Sequence, residues 1–76
     1  MAYKIGTKQT TKSVESRQAI QVYVARDADS KLIRGIVALS EKESIPIKWF
    51  DSMADLGKEC GIDVGAAMAA VVSDEK

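Results

Sequence analysis

The residues with the clearest chemical potential lie near the start of the chain. Gly6 stands directly before a polar stretch with the sequence Thr-Lys-Gln-Thr-Thr-Lys, and Thr7 is predicted to cap a helix that runs to about Ser16. The first turn of a helix has unpaired N–H groups and a partial positive charge, which attract phosphate and other anions. Lys8 and Lys12 are four residues apart and share one face of such a helix. The segment therefore indicates a phosphate-binding surface, and the alternative is an ordinary exposed helix.

A second unusual segment, residues 60–67, has the sequence Cys-Gly-Ile-Asp-Val-Gly-Ala-Ala. If this loop is exposed, Ile62 and Val64 form an apolar tip of the kind that meets a base or a partner. The alternative is that one or both side chains fold under into the core. Cys60 falls on the apolar side of the preceding helix, so it is expected to be a buried structural cysteine.

The composition excludes most catalytic chemistry. The 76 residues include no His and a single Cys, which removes the commonest general base, the commonest metal ligand and the Ser-His and Cys-His nucleophile pairs. There is no paired-carboxylate signature and no nucleotide-binding P-loop. We therefore expect no enzymatic activity, metal or cofactor. The single Cys suits the reducing cytoplasm, and the longest apolar run, residues 64–72, is far shorter than the ~20 residues that span a membrane.

Hydrophobic periodicity predicts seven elements in the order β-α-β-α-β-α-β. Alternating Ile20, Val22 and Val24 predict a strand with these three side chains on one face. Asp27 and Asp29 resemble a helix cap, with Asp29 or Ser30 at the N-cap itself. The predicted strands cover residues 3–5, 20–25, 47–50 and 67–72, and the predicted helices 7–16, 30–43 and 53–60. Ser52 is predicted to cap the third helix, and Gly61 to end it.

The alternation of strands and helices along the chain places helices on the faces of a sheet. We predict an α/β fold, a single-domain three-layer α/β/α sandwich with a four-stranded mixed sheet, over residues 1–76.

The charges are unevenly spread although the net charge is zero. Residues 1–36 hold seven basic and three acidic residues, a net charge of +4. Residues 37–76 hold four basic and eight acidic residues, a net charge of −4. Such asymmetry is a pointer to nucleic acid, although a solvated surface with scattered charge explains it as well. If nucleic acid is the partner, the distribution predicts a small basic footprint with a shallow salt dependence.

Four stretches, taken together, resemble the L7Ae and L30e ribosomal protein family, and the likeness is greatest to its small bacterial members of the YbxF/YlxQ type. The stretches are residues 6–12, 22–29, 56–61 and 62–67, and the resemblance covers about residues 3–72. It implies binding to kink-turn RNA, a duplex bent sharply at a short bulge that is flanked by tandem sheared G·A pairs. The implied partners are structured RNA, such as ribosomal RNA or a riboswitch, and the ribosome; neither DNA nor a membrane is expected.

The resemblance also assigns roles by position. The implied RNA-binding residues are Gly6, Thr7, Lys8, Gln9, Lys12, Arg26, Ile62, Asp63, Val64 and Gly65. The glycine turn would bring backbone to phosphate. Lys8 and Gln9 would reach guanine edges, for which their donor groups are suited, and Lys12 the guanines or the backbone. The loop of residues 62–65 would cover the bulged nucleotides, and Arg26 would contact a phosphate.

The sequence departs from the family pattern in ways that matter for binding. Lys8 and Gln9 stand where archaeal members carry Asn-Glu, so the guanine contacts would be rearranged. Relatives carry Gly in the turn near Arg17 and Gln18, which predicts a longer or different turn here. Only five residues precede Gly6, so the usual N-terminal helix is almost absent and one face of the sheet is expected to be less covered.

The sequence allows two interpretations of its exposed or buried aromatic residues and two of its function. Trp49 and Tyr23 are either stacking platforms for bases or packing residues of a small core. The chain is either an RNA-binding protein or a protein-interaction module that has kept the fold and lost specific RNA binding. Lys31 lies outside the four stretches and is expected to contribute little to RNA binding.

Overall fold

The computed structural model describes residues 2–73 and has the predicted element order. The strands are β1 (Ala2–Ile5), β2 (Ala19–Ala25), β3 (Ile47–Phe50) and β4 (Met68–Val72). The helices are α1 (Thr7–Glu15), α2 (Ser30–Lys42) and α3 (Met53–Cys60). These bounds agree closely with the predicted ones because most of the elements carry clear local signals at their ends.

The four strands form one mixed sheet in the order β1-β4-β2-β3. Strand β4 runs antiparallel to both of its neighbours, and β2 runs parallel to β3. Strands β1, β2 and β3 therefore all end at one edge of the sheet, where β4 begins. We call this the carboxyl edge. Because each helix directly follows one of these three strands, all three helices begin at the carboxyl edge.

The helices lie on both faces of the sheet, which confirms the three-layer α/β/α fold. Residues of β2 alternate between the two faces, since Val22 and Val24 belong to one buried cluster and Tyr23 belongs to the other. Val14 of α1 and residues of α2 complete the first cluster. Leu56 of α3 completes the second. The central strand β4 is buried along its whole length, and its alanines let helices pack close to the sheet.

The predicted caps of α2 and α3 are confirmed. The Asp29 carboxylate accepts a hydrogen bond from the Lys31 N–H at 2.8 Å, and the Ser52 hydroxyl accepts one from the Asp55 N–H at 3.0 Å. Each satisfies one of the amide groups that a helix start leaves unpaired. Gly61 ends α3 in the left-handed conformation, with φ 78°, as is common at helix ends.

The predicted Thr7 cap is wrong. Gly6 is the N-cap of α1, with φ 102°, and Thr7 is the first helical residue. A φ in this range favours glycine. The chain therefore turns from β1 into α1 at Gly6, with no connecting residue beyond it. In the turn after α1, Arg17 adopts the left-handed conformation that favours glycine, with φ 63°.

The strand predicted at residues 20–25 is present, but the predicted alternation of side chains breaks at Ile20. Ala19 pairs with Val72, but Gln21 pairs with Val71, so Ile20 is an extra residue at a β-bulge. A bulge of this kind leaves the inserted residue outside the regular alternation. Ala19 is buried in place of Ile20, whose side chain is 50% exposed.

Candidate nucleic-acid interface

The predicted site segments meet at the carboxyl edge, where backbone hydrogen bonds hold them in line. The Gly6 N–H donates to the Met68 carbonyl at 3.1 Å, which ties the start of α1 to the start of β4. The Ala25 N–H donates to the Ala67 carbonyl at 3.0 Å. The next residue, Arg26, donates its N–H to the last carbonyl of β3 at 2.8 Å. The glycine turn, the end of the 60–67 segment and Arg26 are therefore brought together by the sheet itself.

Helix α1 turns a polar face to solvent at this edge. Thr10 and Val14 are buried, and the Thr10 hydroxyl donates to a carbonyl of β1 at 3.4 Å. Lys8, Gln9 and Lys12 are exposed on the other side of the helix. Amide groups in the first turn of a helix have no partner within it and carry a partial positive charge. The start of α1 thus combines backbone donors with two cations and one amide side chain.

The loop between α3 and β4, residues 61–67, runs back along α3 to the carboxyl edge and is fixed to it at two points. The Ile62 N–H donates to the Gly57 carbonyl at 3.0 Å, and the Ala66 N–H donates to the Met53 carbonyl at 3.0 Å. Gly57 also lies against the backbone of Val64, because a Cβ at position 57 would overlap the Val64 carbonyl oxygen. The shape of the loop therefore depends on the absence of a side chain at Gly57.

The two aliphatic residues predicted at the tip of this loop differ in environment. Val64 is 69% exposed and forms the tip. Ile62 is half-buried and packs against the cluster that contains Tyr23 and Leu56. Asp63 and Gly65 are exposed beside Val64. The prediction of an apolar tip is therefore correct for Val64, whereas Ile62 folds under, as the alternative required.

Asp27 makes a contact that the sequence analysis missed. Its carboxylate accepts a hydrogen bond from the Met53 N–H at 2.8 Å, across 26 residues of sequence. Asp27 and Asp29 are thus both helix caps, but Asp29 caps α2 and Asp27 binds the first turn of α3. No sequence signal pairs Asp27 with α3, because the contact exists only once β2 and β3 are adjacent. The bond ties the β2–α2 connection to the helix that carries the 61–67 loop.

We expect Asp27→Ala to lower the free energy of unfolding by about 1 kcal/mol, the usual effect of removing a helix-capping side chain. For a domain of this size that corresponds to a fall in Tm of about 4–8 °C. Asp27→Asn keeps an acceptor oxygen and should retain most of the stability. Urea denaturation of the two variants measures the difference, and equal stability of Asp27→Ala and the wild-type protein would show that the bond contributes nothing.

Tyr23 and Trp49, for which the sequence allows either a stacking or a packing role, have different environments in the structure. Tyr23 is buried, with its ring centroid 5.8 Å from that of Tyr3 and 5.0 Å from that of Phe50. It is a packing residue. Trp49 is 38% exposed, and the Arg26 guanidinium lies over its ring at 5.3 Å from the centroid. Nε of Arg26 also lies 3.9 Å from a carboxylate oxygen of Asp51.

Lys31 does not lie apart from the candidate interface. It stands in the first turn of α2, and that turn is at the carboxyl edge. Lys42 occupies the last turn of the same helix, about 16 Å away at 1.5 Å per residue. Lys42 is therefore the better reference position for a lysine outside the interface.

The remaining chemistry of the described chain is limited. Burial, with a smaller effect of the neighbouring Glu59 carboxylate, raises the pKa of the half-buried Cys60 thiol. The thiol therefore stays protonated at neutral pH and is a weak nucleophile. Among residues 2–73, no three potential metal ligands come together. Over the same residues, no helix has the length and apolarity to cross a membrane.

Comparison with protein families and relatives accords with these features. The whole chain, residues 1–76, matches the family model of the ribosomal protein L7Ae/L30e/S12e/Gadd45 family. RNA-binding protein BH0128 of Halalkalibacterium halodurans is 46% identical over 67 residues, which cover 88% of this chain and 82% of that protein. RNA-binding protein TTE2299 of Caldanaerobacter subterraneus subsp. tengcongensis is 44% identical over 72 residues, which cover 95% of this chain and 88% of that protein. RNA-binding protein YbxF of Geobacillus stearothermophilus is 43% identical over 68 residues, covering 90% and 83%.

Solved structures share the fold. The Giardia lamblia 15.5kD RNA binding protein superposes with a TM-score of 0.88 at 25% identity, covering 97% of this chain and 62% of that one. A protein with unknown function from Bacillus halodurans C gives a TM-score of 0.85 at 21% identity, covering 95% and 72%. The second likeness is one of fold alone.

Proposed function

This chain belongs to the ribosomal protein L7Ae/L30e/S12e/Gadd45 family, and from that premise we propose that it binds kink-turn RNA through its carboxyl edge. RNA binding itself follows from the family and from relatives named as RNA-binding proteins at 43–46% identity. Like these relatives, the protein is an RNA-binding protein and not an enzyme. The finer proposal concerns which RNA structure it selects and how.

One observation carries the proposal. The sheet brings the start of α1 and the end of the 61–67 loop, which carries the exposed tip at Val64, to the same edge. The lysines and Gln9 of α1 suit guanine edges and phosphates, whereas an aliphatic tip suits the face of an unpaired base. A kink-turn offers these two targets side by side, because its G·A pairs adjoin a bulge. An unbroken duplex offers only the first.

The proposed mechanism is selection of the kinked RNA. A protein with higher affinity for the kinked form shifts the RNA population toward that form, in proportion to its differential affinity. The contact to a bulged base is available only in the kinked form, so it supplies that difference. The RNA would be a structured cytoplasmic RNA, such as ribosomal RNA or a riboswitch, with the ribosome as one place of action.

The charge distribution supports specific rather than general binding. Lys8 and Lys12 of α1 and Arg26 after β2 supply cations at the carboxyl edge, but Asp51 is exposed at the same edge and Asp63 is exposed in the 61–67 loop. Few phosphates can then be neutralised, and the affinity should fall only shallowly with salt. Non-specific duplex binding, which depends on such neutralisation, should be weak.

We expect Val64→Asp to weaken binding to kink-turn RNA by about tenfold or more while the fold stays intact. The side chain is exposed, so the change removes an apolar contact to a base and places a carboxylate beside phosphates. Fully burying a valine side chain contributes about 1.5–3 kcal/mol. Ile62→Asp should instead destabilise the protein, because Ile62 packs on the core. Circular dichroism melting and RNA titration of both variants separate the two effects. Val64→Asp with unchanged affinity would place the loop outside the interface.

The proposal as a whole is tested by titrating the protein with a kink-turn RNA and with the same RNA carrying Watson–Crick pairs in place of the sheared G·A pairs. We expect tight binding to the first and weak binding to the second. A protein-interaction module that has lost RNA specificity would bind neither RNA, or both alike.

A further inference from the structure

We propose that Arg26 and Trp49 form a stacking platform for an unpaired base, at the far end of the carboxyl edge from α1. The inference deepens the proposed function, on which it rests. It assigns Trp49 a role that neither the four family-like stretches nor the comparisons assign. It also changes the expected role of Arg26 from a phosphate contact to a base contact.

The two side chains of the pair are in contact. The Arg26 guanidinium lies over the Trp49 ring at 5.3 Å from its centroid, the arrangement of a cation–π contact. The ring lies to one side of the guanidinium, and the Arg26 side chain remains 61% exposed. Bases stack on guanidinium planes as well as on aromatic side chains in single-stranded RNA recognition. The exposed face of Arg26 therefore offers a base a flat surface that Trp49 holds in place.

Asp51 favours a base over a phosphate at this position. Its carboxylate oxygen lies 3.9 Å from Nε of Arg26, and its side chain is 93% exposed. The charge of Arg26 is thus partly compensated within the protein. A phosphate that approached Arg26 would also approach this carboxylate, whereas a neutral base would meet no such repulsion.

The position of the platform fits an RNA held by α1. Gly6 follows β1 and Trp49 lies in β3, and these strands are three places apart in the sheet. At about 4.8 Å between neighbouring strands, the separation along the edge is about 14 Å. That equals about four stacked nucleotides at 3.4 Å each. An unpaired nucleotide close to the pairs contacted by α1 can therefore reach the platform.

Trp49 provides its own test because it is the single tryptophan of the chain. The wild-type protein is titrated with kink-turn RNA while tryptophan fluorescence and RNA anisotropy are recorded, and each unpaired nucleotide is replaced in turn by an abasic residue. We expect the intact RNA to quench the fluorescence at saturation. One abasic position should abolish the quenching and weaken binding about tenfold or more, the usual effect of losing a base stack. That position should differ from the nucleotide that contacts Val64, which is the one whose abasic replacement causes no further loss of affinity in Val64→Asp.

Protein variants are combined with the abasic RNAs to test the same contact. Arg26→Lys keeps the positive charge but removes the planar guanidinium, and Trp49→Leu removes the ring beside it. Each variant should bind the intact RNA about tenfold more weakly, and should show no further loss of affinity for the RNA whose abasic position already weakens binding. Arg17→Lys makes the same change at the opposite edge and should leave binding unchanged. Quenching absent at saturation, or full affinity of Arg26→Lys, would overturn the platform while leaving kink-turn preference intact. Loss of preference between the kink-turn and its G·A-replaced form, with quenching retained on both, would overturn the proposed function and not the platform.

Discussion

Replacing Gly57 with alanine is expected to weaken kink-turn binding by about tenfold to a hundredfold, although residue 57 is buried within α3. A Cβ at this position would overlap the carbonyl oxygen of Val64, so the 61–67 loop or the helix must move. The exposed tip at Val64 would then leave its position in the proposed interface and lose an apolar contact of up to about 1.5–3 kcal/mol. Forcing an atom into a packed contact also costs about 1–3 kcal/mol of stability.

The matched control is Gly35→Ala. Gly35 is also a helical glycine, in α2, but nothing lies within 4 Å of the position a Cβ would take. Alanine should raise the free energy of unfolding there by up to about 1 kcal/mol, because glycine is the weaker helix former, and RNA affinity should not change. Gly65→Ala is a milder probe of the same loop, since its Cβ would lie 3.1 Å from the Cβ of Met53.

Thermal unfolding and RNA titration of the three glycine variants separate stability from binding. Titration at a temperature where Gly57→Ala is still folded removes the effect of stability. If folded Gly57→Ala then binds kink-turn RNA as tightly as Gly35→Ala, the position of the loop does not matter to binding.

The second large effect is expected for the double substitution Lys8→Ala with Gln9→Ala. Both side chains are exposed in the first turn of α1, and a good base-edge contact contributes about 1–3 kcal/mol of discrimination. Losing two should reduce kink-turn affinity by about a hundredfold and bring it close to the affinity for plain duplex. Binding to plain duplex should fall only by the smaller electrostatic share of one lysine.

Lys42→Ala is the control for charge, because it also removes a lysine, but from the last turn of α2, which lies away from the carboxyl edge. It should leave kink-turn affinity nearly unchanged. Titrations at one fixed salt concentration compare the two RNAs for all variants. An equal loss on kink-turn and plain duplex for the double variant would mean that these residues contact phosphate and do not recognise bases.

Much of the fold is predictable from local signals in the sequence. The alternation of Val22 and Val24 with Tyr23 predicts β2, and Asp29, Ser52 and Gly61 mark helix ends, because each acts within a few residues of its own position. The charge asymmetry and the polar start of α1 indicate the chemistry of the proposed interface. The family resemblance adds its topology, which periodicity alone does not provide.

The features that escape prediction depend on contacts between distant segments. Ile20 turns outward because the register of β4 leaves it unpaired. Asp27 binds the start of α3 because β2 and β3 are neighbours. Val64 and Ile62 have similar side chains two residues apart, and only the path of the loop past Gly57 decides which is exposed. The Arg26–Trp49 contact likewise exists only in the assembled sheet.

The zero net charge of the sequence is consistent with RNA binding once the structure shows where the charges lie. The basic face of α1 and the acidic residue Asp51 lie at one edge of the sheet, and Asp63 is exposed in the loop that leads to that edge. The edge can therefore contact a few phosphates and discriminate by shape and base contacts, while long-range attraction to any duplex stays small.

The most direct test of kink-turn recognition compares two RNAs with the unmodified protein. Anisotropy titrations at several salt concentrations use a kink-turn RNA and the same RNA with its sheared G·A pairs replaced by Watson–Crick pairs. We expect the kink-turn to bind at least about a hundredfold more tightly, with similar shallow salt slopes for both, because the difference comes from base and bulge contacts and not from phosphate charge. Equal affinities for the two RNAs, or a preference that disappears as salt rises, would contradict kink-turn recognition by the carboxyl edge.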